Sequence, residues 1–141
     1  MSDWIAAGSV VVALLTWVVS QVRDRRARKA SHTADFLAQL LTNDALAEAN
    51  LNVVMMIDAG EPIDPKALDR DTERHILRLL NYYEYVCSFY YEGVLDKKLV
   101  NELRGGPMRR AFRVLEGVIA AWRDQANAPK LFEYLERYAR Q

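Results

Sequence analysis

The sequence predicts an all-α fold, with a single N-terminal transmembrane helix followed by a compact cytoplasmic bundle of about five helices. Three observations lead there. No charged residue occurs from Trp4 to Val22. Every later segment repeats its apolar residues at spacings of three and four, the period of a helix. No segment shows the sustained alternation of a strand, and no repeat or low-complexity tract interrupts the 141 residues. A chain of this length is enough for one domain.

The uncharged run, WIAAGSVVVALLTWVVSQV, would be about 28 Å long as a helix, close to the hydrocarbon thickness of a bilayer. Arg23, Arg25, Arg26, Arg28 and Lys29 follow it, offset only by Asp24. A signal peptide places its charge before the apolar core, so this order favours an anchor. The expected organisation is therefore an anchor over 1–22, a basic juxtamembrane collar over 23–30 and a cytoplasmic helical domain over 31–141. The positive-inside rule puts the N-terminus outside a bacterial inner membrane and the domain in the cytoplasm. Trp4 is expected at the outer interface. Trp17 lies more than a turn inside the collar and is available to pack on another helix.

Within 31–141, Phe36, Leu37, Leu40 and Leu41 mark a first helical face. Thr42-Asn43-Asp44 offers a stop and a new N-cap. Leu46, Ala49, Val53, Met56 and Ile57 form the face of a second helix, which Gly60 ends. Asp64 before Pro65 reads as a cap followed by a proline in the first turn. A long helix is expected from about Asp71 to Tyr91, with a core stripe of Ile76, Leu79, Leu80, Tyr83, Val86, Cys87 and Tyr90. Gly93 closes it, Asp96 caps a short helix, and Gly105-Gly106-Pro107 reads as a break. Met108, Ala111, Phe112, Leu115, Val118, Ile119 and Trp122 line the next helix. Asn127-Ala128-Pro129 is expected to cap a last one carrying Leu131, Phe132, Leu135 and Tyr138.

The stretch LLNYYEYVCSFYYEGVLDKKLVNELRGG carries a recognisable pattern: Asn81, Tyr82, Tyr83, Glu84, then Gly93, Val94 or Leu95, and Asp96. With Trp122, Asn127-x-Pro129, Phe132 and Leu135, it resembles the bacterial and phage family labelled domain of unknown function 4760. The resemblance implies a small protein with an N-terminal membrane helix and a helical cytoplasmic portion. It implies no reaction and no catalytic residue.

Composition narrows the function. Lys plus Arg and Asp plus Glu both number 19, and a zero balance argues against a nucleic-acid binder. Residues 31–141 hold 14 basic and 17 acidic residues, a mildly acidic −3. One cysteine excludes an internal disulfide framework and a Cys-rich zinc site. His32 and His75 lack ligand spacing, so no metal and no cofactor is expected. No nucleophile–base pair can be nominated, so an enzyme is not expected.

Candidate interaction residues fall into two groups. Asn81, Glu84, Ser88 and Glu92 form a polar stripe on an otherwise aromatic helix. Glu84 reads either as a buried carboxylate, met by a partner's Arg or a Tyr hydroxyl, or as part of an ordinary solvent face. Tyr82, Tyr85 and Tyr91 point around that helix, so some of them must be exposed or lie in an interface. The second group, Arg109, Arg110 and Arg113, forms a basic patch suited to an acidic partner or to anionic headgroups. The expected role is a membrane-anchored interaction module that recruits or inhibits a protein partner. The alternative is an oligomeric membrane effector built from self-associating transmembrane helices, with a homo-oligomer as its partner.

Overall fold

The computed structural model describes residues 2–141, with side chains described from Ala13 onward. The described residues form six helices and no strand: α1 (Ser2–Thr42), α2 (Asp44–Ala59), α3 (Arg70–Tyr91), α4 (Lys97–Leu103), α5 (Gly105–Ala126) and α6 (Glu133–Ala139).

Helix α1 does not break at the collar. It runs through Arg23–Lys29 and delivers its last turns, with Thr33, Leu37 and Leu40 buried, to the bundle. Among the described residues, no helix is long and apolar enough to cross a membrane. This overturns the expected anchor, and with it the single-pass inner-membrane placement. Trp4 and the rest of the run up to Val12 lie outside the described side chains. Trp17, Arg23, Arg25 and Arg26 are exposed on α1.

Hydrogen bonds from Asp96, Tyr82 and Arg104 dock α1. The Thr33 hydroxyl donates to the Lys29 carbonyl at 2.7 Å and accepts the Asp96 backbone N–H at 2.8 Å. The Tyr82 hydroxyl donates to the Leu37 carbonyl at 3.0 Å in the core. Phe36 fills the space beside it, stacked on Tyr82 and edge-on to Phe89.

The α1–α2 corner follows the sequence. Asn43 is the N-cap, and its side chain accepts the Leu46 N–H at 3.0 Å. Removing such a cap costs about 1 kcal/mol. Asn43→Ala should therefore lower the unfolding free energy by about that amount in urea titration, while Asn43→Asp should restore most of it. Helix α2 buries Leu46, Ala49, Val53 and Ile57 and ends at Gly60, whose φ of 70° suits glycine.

Asp64-Pro65 does not start a helix. Asp64 accepts the Lys66 N–H to make a turn, and the true cap of α3 is Asp69. Its carboxylate accepts the N–H groups of Asp71 and Thr72 and the Thr72 hydroxyl. Those bonds, led by the one from the Thr72 backbone, hold its pKa below the usual carboxylate value. Helix α3 buries the whole expected stripe, and Tyr82 besides. It lies against α2 on one side and α6 on the other.

Gly105-Gly106-Pro107 is not a break either. Arg104 alone separates α4 from α5, and both glycines lie in the first turn of α5. Proline is tolerated there because first-turn N–H groups need no helical partner. Gly105 is buried because α6 crosses it: a Cβ would meet the Tyr138 Oη at 2.8 Å. Asn127, at φ 49°, terminates α5 rather than starting the last helix. Helix α6 begins six residues later, after Phe132 at φ 58°.

Helices α3 and α5 meet by side chain, with the Cys87 Sγ 3.8 Å from the Met108 Sδ. Helix α6 packs against both of them.

Candidate functional site

Helix α6 has no cap of its own, since Phe132 occupies its N-cap position and offers no side-chain hydrogen bond. The cap comes from α3. The Glu84 carboxylate accepts the N–H of Tyr134 at 3.1 Å and of Leu135 at 2.8 Å. A carboxylate at the positive end of a helix is favourable, and here it satisfies two N–H groups that have no helical partner. Burial nevertheless raises the Glu84 pKa, because desolvation outweighs the two backbone donors. The carboxylate expected to meet an Arg or a Tyr hydroxyl is thus satisfied by backbone amides of its own chain.

Arg123 on α5 secures the same loop. Its guanidinium donates twice to the Leu131 carbonyl, at 2.9 and 2.8 Å, and once to Glu136 at 2.8 Å. That hydrogen bond, followed by the charges of Arg123 and Arg140, holds the Glu136 pKa below the usual value. At the other end of α6, the Tyr138 hydroxyl donates to the Asn101 side chain at 2.5 Å. The Arg109 guanidinium lies over the Tyr138 ring, 4.9 Å from its centre.

The remaining candidates separate. Tyr82 is buried and therefore not a surface contact. The Tyr91 ring is half-buried, packed edge-on against Tyr90 and covered by the Arg137 guanidinium at 4.2 Å. Asn81 and Tyr85 are exposed, Tyr85 by 63%. Of the arginines, Arg109 is occupied by Tyr138, Arg110 pairs with Asp58 at 2.6 Å and Arg113 is exposed. The basic patch is therefore split: two of its three charges already have partners within the chain.

Sequence reasoning missed a cleft between α3 and α5. It measures about 640 Å³ and lies between the first half of α3 and the last turns of α5. Leu77, Trp122 and Leu131 supply its apolar surface, and Arg70, Arg74 and Glu73 its charged rim. Arg74 is tied to Asp71 at 2.7 Å. Leu77 is 43% exposed, and Asn81 and Tyr85 continue its line along α3 at helical spacing. The available signal was Leu77 itself, a leucine off the core stripe.

Cys87 is fully buried, and burial pushes its thiol pKa up, away from the thiolate a nucleophile needs. Among the described residues, no group of three or more His, Cys, Asp and Glu is placed to hold a metal ion.

An all-helical bundle with an internally capped last helix and an open, half-apolar cleft belongs to the class of small helical domains with a surface site. The chain belongs to the family described as Domain of unknown function (DUF4760), whose model matches residues 4–141. No curated protein and no solved structure matches it.

Proposed function

We propose that this chain is a helical interaction module that recruits or inhibits a protein partner through the cleft between α3 and α5. The observation that carries this reading is the cleft's surface: Leu77 and Trp122 both line it, with Arg70 and Arg74, and Tyr85 is exposed further along α3. Trp, Tyr and Arg are the side chains that dominate binding energy at protein interfaces. A concave, apolar centre with a charged rim is the layout of such a site.

The reading places the partner's apolar anchor against Trp122 and Leu77. It leaves Glu84 to a structural role. Leu77→Asp and Trp122→Ala should each weaken capture of the partner at least tenfold in affinity purification from the native host, because a buried anchor typically contributes about 2 kcal/mol or more. Leu77 is 43% exposed, so Leu77→Asp should change melting little, whereas Trp122 also packs against the core and Trp122→Ala should lower stability as well. Capture retained by both variants would place the partner elsewhere.

A further inference from the structure

Helix α1 carries one apolar face, and the bundle covers only the end of it. At about 100° per residue, Leu14, Leu15, Val18, Val19 and Val22 fall within about 140° of the helix circumference. Thr33, Phe36, Leu37 and Leu40 fall on the same arc, and these are buried or packed against the core. The first set is between 44% and 62% exposed, and no described residue from Ala13 to Lys29 is buried. We propose that this exposed face pairs with the same face of a second copy of the chain, α1 against α1 and antiparallel, to make a symmetric dimer.

Area supports a second copy. The five side chains expose on the order of 450 Å², as much as the largest apolar patch of a typical monomer. Two such faces together bury up to about 900 Å², and the stems of the neighbouring arginines bring this to the roughly 1,000 Å² of a specific interface. A second copy also matches the face in length and width, with no polar group left opposite an apolar one.

Direction follows from what flanks the face. In a parallel pair, both bundles would stand between the two helices from Thr33 onward and collide. Arg25, Arg26 and Lys29, on the same arc, would also meet their own copies. Antiparallel helices crossing at Val18 put the bundles at opposite ends. They hold Arg25 of the two copies about 20 Å apart along the axis, beyond the Debye length of about 8 Å at physiological salt. The arm takes no part in the cleft between α3 and α5, so this dimer goes beyond the interaction role proposed above.

Analytical ultracentrifugation of the full chain tests the pairing. The expected result is a reversible monomer–dimer equilibrium in the micromolar range. Leu15→Asp and Val18→Asp should each weaken it at least tenfold, and Ser20→Asp, on the opposite side of α1, should leave it unchanged. None of the three touches the bundle, so melting of the dilute monomers should match the parent. Cys87 is buried, so a spin label on Arg28→Cys reports direction. Antiparallel helices place the two labels about 30 Å apart or more, and parallel ones under about 20 Å. A chain that stays monomeric, or a dimer that survives both Leu15→Asp and Val18→Asp, would overturn the proposal and give the face to another occupant. A short label distance would overturn the antiparallel pairing.

Discussion

Glu84→Ala should lower the unfolding free energy by about 2 kcal/mol, since it removes a helix cap and leaves the exposed Tyr134 N–H and the part-buried Leu135 N–H without their acceptor. The loss should be local before it is global. The Tyr134 and Leu135 amides, which donate to Glu84, should exchange with solvent faster, while amides in the middle of α3 keep their protection. Glu84→Gln keeps one good acceptor and should lose about half as much. The pH dependence has a definite sign. The folded pKa of Glu84 is raised, so its contribution is fully present below the unfolded carboxylate value and is lost as pH rises through the folded value. Glu136 runs the other way: its depressed pKa gives stability above the unfolded value that is lost as acid passes the folded one. On acidification from neutral pH, the parent should therefore gain stability relative to Glu84→Gln and lose it relative to Glu136→Gln. Urea titrations across pH 3 to 7 read both trends.

Gly105→Ala should destabilise the fold by about 2 kcal/mol, even though alanine is the better helix former. The new methyl carbon would stand 2.8 Å from the Tyr138 Oη and 3.2 Å from an Arg109 nitrogen. Tyr138 is fully buried, and its hydroxyl is held by Asn101, so the ring cannot yield without breaking that bond. Gly106 is the control: a Cβ there meets nothing within 4 Å, and Gly106→Ala should be neutral or stabilising by up to about 1 kcal/mol. Tyr138→Phe removes the obstructing oxygen. Combined with Gly105→Ala, it should cost less than the two changes separately, a coupling that thermal melts of the four proteins would measure.

Much of the bundle was legible because its signals are local. The core stripe of α3 repeats at helical spacing, and Asn43, Gly60 and Asp96 are caps whose chemistry acts within four residues. The failures are long-range. Gly105-Gly106-Pro107 has the composition of a turn, but the approach of Tyr138, more than thirty residues away, is what demands the glycine. Asn127 carries a cap's side chain and is used in the left-handed conformation that ends a helix. Glu84 stands out in the sequence on the polar stripe of α3, yet its partners are amides fifty residues downstream that no spacing rule connects to it. The one sequence sign was negative: Phe132, just ahead of α6, cannot cap a helix. Trp122 reads as core because it falls on the buried face of α5, and it does pack against the core while its remaining surface lines the cleft. The apolar run reads as a membrane span because hydropathy registers composition, but among the described residues no helix is both long and apolar enough to cross a membrane.

Site-specific photocrosslinking in the native host tests the interaction role most directly. A photoreactive phenylalanine analogue would replace Leu77 in the cleft, with Glu92 on the far end of α3 as the comparison position. A partner seated against Trp122 should yield a discrete higher-mass adduct from position 77 that is absent from position 92 and lost when Trp122→Ala is added. Equal adducts from both positions, or none from position 77, would contradict a docking site in this cleft.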